Sequence, residues 1–161
     1  MILIALGSNI SGPWGNPAET MVRAIKEMAA SGLKVEKVSR FLLTAPYGNV
    51  NQPAFINAAA QIATHLPPLA LLEKLHTIEK RGGRKRAMRW GPRSLDLDII
   101  DYHGLILSSP RLTLPHPGVA DRFFVLKPIA EMNLHWKHPV LHMTAAQLLR
   151  RMGRFRGGGE I

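Results

Sequence analysis

Phe55-Ile-Asn-Ala-Ala-Ala-Gln-Ile-Ala-Thr64 admits two secondary structures. Read as a strand, it places Phe55, Asn57, Ala59, Gln61 and Ala63 on one side and Ile56, Ala58, Ala60 and Ile62 on the other. Its run of alanines suits a helix as well, and the pattern alone leaves helix open. The flanking segments are less ambiguous. Upstream, Leu33 to Thr44 carries Leu33, Val35 and Val38 with polar residues between, an extended strand. Ala45 to Pro53, with Pro46, Gly48, Asn49, Asn51 and Pro53, is a loop. Further upstream, Asn16-Pro17 opens a helix with Glu19 three residues after the cap. Met21, Ala24, Ile25 and Met28 repeat along that helix and Gly32 ends it. Ile2 to Leu6 is a buried strand that stops at the turn cluster Gly7-Ser-Asn9.

Downstream, Pro67-Pro68 starts a helix with Leu69, Leu72, Leu75 and Ile78 as its apolar stripe. Arg81 to Arg86 ends it and begins a basic, flexible loop reaching Ser94. Leu95 to Tyr102 is a strand, Leu105 to Leu107 a hairpin-like return, and Pro110, Pro115 and Pro117 mark a loop. Helices are expected around 123–132 and 144–152. With 55–64 taken as a strand, the order is strand, helix, strand, strand, helix, strand. That is the α/β (α+β), ferredoxin-like βαββαβ core, with extra C-terminal strands and helices. No repeat or linker interrupts 1–161, so a single domain is expected, with a flexible tail from about Gly153.

The chain has 161 residues and no cysteine, which excludes disulfides, thiolate metal sites and cysteine nucleophiles. Its 21 basic and 11 acidic residues give a net charge of +10, which attracts anions, either nucleic acid or nucleotide phosphates. No apolar run approaches the roughly 20 residues that span a bilayer, and Met1-Ile-Leu-Ile-Ala-Leu6 reads as a strand rather than a secretory signal. The expectation is a soluble, cytoplasmic protein.

The chemistry concentrates in Arg89-Trp-Gly-Pro-Arg-Ser-Leu-Asp-Leu-Asp-Ile-Ile100. Alternation sends Asp96 and Asp98 to one side and Leu95, Leu97 and Ile99 to the core. Two residues of strand span roughly 6.6 Å, so the carboxylates can share divalent ions, which lie ~3.5–4 Å apart in two-metal sites. Aspartate is depleted in strands, although in isolation a solvent-facing strand is the better account of the pair. Arg84, Lys85, Arg86, Arg89 and Arg93 lie just upstream. Carboxylates for Mg²⁺ beside guanidinium groups are what a polyphosphate needs; a nucleic-acid patch is the rival reading. Gly82 and Gly83 allow a mobile loop that closes over substrate, with Trp90 as a lid residue.

His76 and Glu79 share a helix face, where a carboxylate suits ribose hydroxyls or an ordinary surface pair. His135, His138 and His142 read as surface or packing residues. Phe55, Asn57 and Phe124 together suit a flat, hydrogen-bonding heterocycle, although core packing explains each ring singly. No P-loop and no dinucleotide fingerprint is present.

Ala5-Leu-Gly-Ser-Asn9, Thr44-Ala-Pro46, Gln52-Pro53 with Phe55-Ile-Asn57, Arg89 to Asp98, Leu112-Thr-Leu-Pro-His116 and Arg122-Phe-Phe124 occur in the order found in hydroxymethyldihydropterin pyrophosphokinases. The chain resembles that family over roughly Met1 to Met132. The resemblance implies a ferredoxin-like fold, ATP as donor, two Mg²⁺ ions and AMP as product. By position, Asp96 and Asp98 resemble the metal ligands, and Arg84 and Arg93 the phosphate-handling arginines, supported by Arg86, Arg89 and Trp90. Glu79 resembles the ribose-binding glutamate, Ile99 and Thr113 the backbone contacts to adenine, and His116 and Arg122 further phosphate contacts. Thr44, Pro46 and Tyr47 resemble the pterin-edge loop, Asn57 the pterin-binding amide, and Phe55 and Phe124 the rings that sandwich the pterin. His76, Phe55 and Pro117 depart from the family's familiar glutamine, tyrosine and tyrosine, and the arginine loop is one residue shorter before Arg89.

The implied reaction is in-line attack of the hydroxymethyl oxygen of 6-hydroxymethyl-7,8-dihydropterin on the β-phosphorus of ATP. The competing readings are a nucleotidyltransferase, which releases pyrophosphate, and an RNA-binding module on the same fold. Exposed aromatics on the central strands, which an RNA module wants, are absent from Met1 to Leu6. The expected protein is a monomer that binds two small molecules, with no nucleic acid and no membrane as partner.

Overall fold

The computed structural model describes residues 1–45, 53–85 and 92–155. The 55–64 segment is a strand. Among the described residues, seven strands and four α-helices follow one another as β1 (Ile2–Ser8), α1 (Pro17–Ala30), β2 (Lys34–Val38), β3 (Leu42–Thr44), β4 (Phe55–Ala63), α2 (Pro68–Arg81), β5 (Asp96–Tyr102), β6 (Leu107–Ser108), β7 (Thr113–Leu114), α3 (Phe123–Met132) and α4 (Ala145–Phe155), with a 3-10 turn at Val119–Asp121 before α3. The sheet order is β2-β4-β1-β5, with β3 also on β4 and every pairing antiparallel, which is the expected ferredoxin-like arrangement.

Several boundaries differ from the sequence reading. Leu33 to Thr44 is not one strand but two, both paired to β4. The break falls at Ser39, whose N–H donates to the Ala59 carbonyl at 2.8 Å while its Oγ accepts from the Ala59 N–H at 2.8 Å. The side chain thus replaces one backbone acceptor of the ladder. The return after β5 is β6, which starts at Leu107 and pairs with β7. On α2 the buried stripe is Leu71, Leu72, Leu75 and Ile78, whereas Leu69 is exposed. Helix α4 continues through Gly153 to Phe155, and the remainder of the expected tail, 156–161, lies outside the described residues.

The caps explain where the helices start. Asn16 accepts from the Glu19 N–H and Glu19 from the Asn16 N–H, a complete capping box, with Pro17 at the first helical position. Thr144 and Gln147 make the same reciprocal pair ahead of α4. Helices α1 and α2 cover one face of the sheet and bury Ile2, Ile4, Leu6, Ala58, Ala60, Ile62, Leu97 and Ile99. Helices α3 and α4 cover half of the other face, over Leu3, Ala59 and Ile100. The C-terminal elements are therefore a third layer with a core of their own. A bulge opposite Leu3 and Ile4 shifts the register of β5. It lets the buried Asp101 accept from Trp136 Nε1 at 2.8 Å within that second core.

Candidate active site

The uncovered half of the α3/α4 face lies where β1 ends and β3, β4 and β5 present their residues in cross-strand rows. Gly7 pairs with Asn57 on one side and Asp96 on the other; Ala5 pairs with Ala59 and Asp98. Directly paired residues point to the same face. The central strand therefore puts a hydrogen atom and a methyl group between an amide and two carboxylates. A Cβ at Gly7 would sit 3.1 Å from Asn57 Oδ1. These small residues leave a cavity of about 310 Å³.

Phe55, Asn57, Phe124 and Thr44 line this cavity, and so do Asp96, Asp98, Arg93, His116 and Arg122. The three residues that suited a flat heterocycle only jointly are thus brought together. Asn57 Nδ2 donates to Thr44 Oγ1 at 2.7 Å, which fixes the orientation of the amide. Val125, next to Phe124 on the first turn of α3, adds a further apolar wall.

A second cavity of about 570 Å³ opens beside the first. Arg84, Lys85, Arg93, Arg111, Ile99 and Thr113 line it, with His76, Leu72 and Pro117. Arg93, Asp98 and His116 stand in the walls of both cavities. The two spaces meet at a carboxylate, a guanidinium and an imidazole.

An ion-pair chain sits at the junction. Arg84 Nη1 donates to Asp96 Oδ1 at 2.7 Å and also to Glu79 Oε2, and Arg93 Nη1 donates to Asp96 Oδ2 at 3.1 Å. Glu79 Oε2 accepts the Leu97 N–H at 2.8 Å. Burial, together with the charge of Asp96, pushes the Glu79 carboxyl up to about 7 against the pull of the Leu97 amide and Arg84. Burial, then the charges of Asp96 and Glu79, pushes Asp98 up to about 7. For Arg84, burial works downward, but Asp96 and Glu79 outweigh it and leave its pKa raised. Glu79 lies on neither cavity wall among the described residues. It is 1% exposed and holds Arg84 and β5 in place, where the sequence reading expected a ribose contact.

His116 follows β7, and its N–H donates to the Ile100 carbonyl at 2.9 Å along the outer edge of β5. Burial and then the Arg122 charge lower its pKa to about 4, so the imidazole is neutral at pH 7. Its Nδ1 accepts the Gly118 N–H at 3.1 Å, which leaves the ring proton on Nε2. A Cβ at Gly118 would lie 2.6 Å from Arg122 Nε, so the glycine makes room for that guanidinium.

Two carboxylates on one face suit Mg²⁺, which takes one or two carboxylates and completes its octahedron with water and substrate phosphate oxygens. Burial first, then the charges of Asp96 and Glu79, hold Asp98 toward its neutral form, and a cation beside it would favour the ionised carboxylate. Among the described residues no three acidic or imidazole groups converge into a closed metal cage, which Mg²⁺ shared with a nucleotide does not need. His138 is buried, and its Nδ1 accepts the Val140 and Leu141 N–H groups, so it is a packing residue as expected. Pro46, Tyr47, Arg86, Arg89 and Trp90 lie outside the described residues.

Sequence reasoning passed over Arg111, a residue of the second cavity wall that pairs with Glu73 at 2.9 Å. It also passed over Asn9, whose side chain joins the starts of two strands. The signal for Asn9 was its membership of the matched Ala5-to-Asn9 stretch, and for Arg111 its position next to the matched Leu112-to-His116 stretch.

Comparison with known proteins agrees with this geometry. The model of the family described as 7,8-dihydro-6-hydroxymethylpterin-pyrophosphokinase matches residues 3–134. A 2-amino-4-hydroxy-6-hydroxymethyldihydropteridine pyrophosphokinase of Methylorubrum extorquens is 43% identical over 130 residues, covering 80% of each chain. The protein of the same name from Haemophilus influenzae is 42% identical over 130 residues, 80% of this chain and 79% of its own. The folic acid synthesis protein fol1 of Pneumocystis carinii is 38% identical over 151 residues, 94% of this chain, which spans only 20% of that longer protein.

Proposed function

Because the chain belongs to the 7,8-dihydro-6-hydroxymethylpterin-pyrophosphokinase family, we propose that its two joined cavities divide that family's reaction between them. The enzyme is an ATP-dependent diphosphotransferase of folate synthesis, which transfers pyrophosphate from ATP to 6-hydroxymethyl-7,8-dihydropterin and yields the pterin diphosphate and AMP. The smaller cavity takes the pterin and the larger one the nucleotide. The observation that supports this division is the shared wall of Arg93, Asp98 and His116. A hydroxymethyl group and a β-phosphorus reach one another only where the two spaces join.

Each residue then has a task. Phe55 and Phe124 clamp the pterin ring, and Asn57 and Thr44 read its hydrogen-bonding edge. Ile99 and Thr113 receive the adenine through backbone groups, and Arg122 and the Nε2–H of neutral His116 meet phosphate oxygens. Arg84 and Arg93 neutralise charge that shifts from the β-phosphoryl group to the departing AMP. Glu79 supports Arg84 rather than touching ribose; a ribose contact would require that pair to open. Asp96 and Asp98 would hold Mg²⁺, as two ions, which would supply neutralisation of the triphosphate charge. The hydroxymethyl oxygen attacks the β-phosphorus in line as the bond to the α-phosphate oxygen breaks, so positioning supplies much of the rate. Both cavities are built within one chain, and the protein acts as a monomer. No helix among the described residues is long and apolar enough to cross a membrane.

Product analysis with ATP, Mg²⁺ and 6-hydroxymethyl-7,8-dihydropterin tests the proposal. AMP and the pterin diphosphate are expected in equal amounts. Released inorganic pyrophosphate would make the protein a nucleotidyltransferase, and ADP a simple kinase; either result defeats the reading.

A further inference from the structure

Asn9 ends β1 in a turn cluster, and the reaction just described gives it no part. Its surroundings are unusual for a turn residue. The side chain is 2% exposed, and both ends of its amide are used. Oδ1 accepts the Arg93 N–H at 2.7 Å, and Nδ2 donates to the Pro53 carbonyl at 3.0 Å. The Asn9 N–H donates to the Arg93 carbonyl at 3.0 Å, so Arg93 is gripped on both sides of its Cα. Ser8 Oγ donates to the Ser94 carbonyl at 2.6 Å and reinforces the same junction.

What these bonds hold matters more than their number. Pro53 leads into β4 and sits two residues ahead of Phe55; Arg93 leads into β5 and reaches Asp96 at 3.1 Å. One amide thus ties the aromatic wall of the smaller cavity to the arginine that both cavities share. Only a side chain with a donor and an acceptor at this reach makes both bonds. Both bonds are partly buried and Pro53 itself is exposed, so what a lost bond removes is chiefly the tether between the two strand starts rather than the solvation of the groups it joined.

We propose that Asn9 is a positioning residue: it fixes Phe55 and Arg93 relative to one another, so that the acceptor's ring and the donor's phosphates are aligned. The inference rests on the pyrophosphokinase reading. Its two arms are separable. The donor arm acts through Pro53 on the pterin wall, and the acceptor arm acts through Arg93 on the phosphate side.

Two variants distinguish the arms. Asn9→Asp keeps an acceptor for the Arg93 N–H but turns an oxygen toward the Pro53 carbonyl. It should raise KM for the pterin about 10-fold while kcat and KM for ATP stay within about 2-fold. Asn9→Ala removes both arms and should raise the pterin KM and also lower kcat by about 10- to 100-fold. Melting temperatures and AMP release are measured alongside. A residue that only stabilises the fold would lower the melting temperature and the active fraction and leave both KM values alone. That result overturns the inference, as does an Asn9→Ala enzyme with wild-type parameters or an Asn9→Asp enzyme whose kcat falls as far as that of Asn9→Ala. If Asn9→Ala fails to fold, the pterin-selective KM of Asn9→Asp decides alone. A wild-type protein that releases no AMP overturns the reading and the inference together.

Discussion

On the side covered by α1 and α2, β1 and β5 present Ile2, Ile4, Leu6, Leu97 and Ile99, all buried in one apolar cluster. On the opposite side the same strands present Leu3, Ala5 and Gly7, and Asp96, Asp98 and Ile100. The first face is apolar from end to end. The second is apolar only where α3 and α4 lie on it; beyond them its side chains shrink along the central strand and turn acidic at the edge. Because strand side chains alternate, one backbone serves both purposes, and the register in which β1 meets β4 and β5 decides which residues face which way. A slip of one residue would bury the carboxylates and expose Ile4 and Leu97. The apolar face therefore holds the register on which the chemical face depends.

Substitutions on the two faces should separate activity from stability. The largest effect belongs to the acidic pair. Asp96→Asn or Asp98→Asn should lower turnover by about 100- to 1,000-fold, the scale of losing a group aimed at transition-state charge. Asp98→Asn should not cost stability. Its carboxyl titrates at about 7 in the fold against 3.8 as a free group, so between those values the folded state holds more protons than the unfolded state. Ionising it therefore opposes folding as pH rises through that range. The melting temperature of Asp98→Asn at pH 8 should equal or exceed the wild-type value, measured beside an AMP-release assay. Lost turnover accompanied by unfolding would break the division between the faces.

The converse substitution is Ile4→Ala, at a fully buried position on the opposite face. Truncating an isoleucine in a packed core costs about 2–5 kcal/mol, which urea titration should register as a lower midpoint. KM for both substrates should remain near the wild-type values in the protein that stays folded. A shift in the pterin KM as large as the one expected from Asn9→Asp would show that the apolar face controls site geometry directly.

Much of this partition is legible in the sequence, for reasons particular residues make plain. Asp96 and Asp98 alternate with Leu97 and Ile99, and that period alone assigns them to opposite faces. Asn16-Pro17 and Pro67-Pro68 announce α1 and α2 because caps are local chemistry. The alanines of β4 left helix open because their meaning is tertiary. Ala59 is small where it faces the α3/α4 core and Ala58 and Ala60 where they face α1 and α2, and a strand covered on both sides shows no polar alternation. The break at Ser39 is a single hydroxyl replacing a carbonyl, which no periodicity signals. Glu79 reads as an exposed helix carboxylate at i+3 from His76, yet it lies inward, because the partners that hold it there, Arg84 and the Leu97 N–H, come from beyond the helix. Asn9 was legible as a turn inside a matched stretch but not as a tether, since Pro53 and Arg93 reach it across 44 and 84 positions of chain.

The smallest effect concerns the imidazole at the seam between the cavities. His116 has a folded pKa of about 4 against 6.5 as a free group, lowered first by burial and then by Arg122. Between those two values the unfolded chain holds more of this proton than the folded one, so the sign is fixed: stability contributed here is complete above 6.5 and is lost as pH falls toward 4. Partial exposure to solvent screens the magnitude. His116→Asn keeps an acceptor for the Gly118 N–H but cannot take up the proton. Thermal melts between pH 7 and pH 4 should therefore fall less steeply for His116→Asn than for the wild type, with the curves converging at the acid end. Parallel curves would place the acid sensitivity elsewhere. They would also remove the reason for treating His116 as a neutral Nε2–H donor to phosphate, because a ring that charges freely in the folded state would meet ATP as a cation and make nucleotide affinity rise as pH falls toward 6.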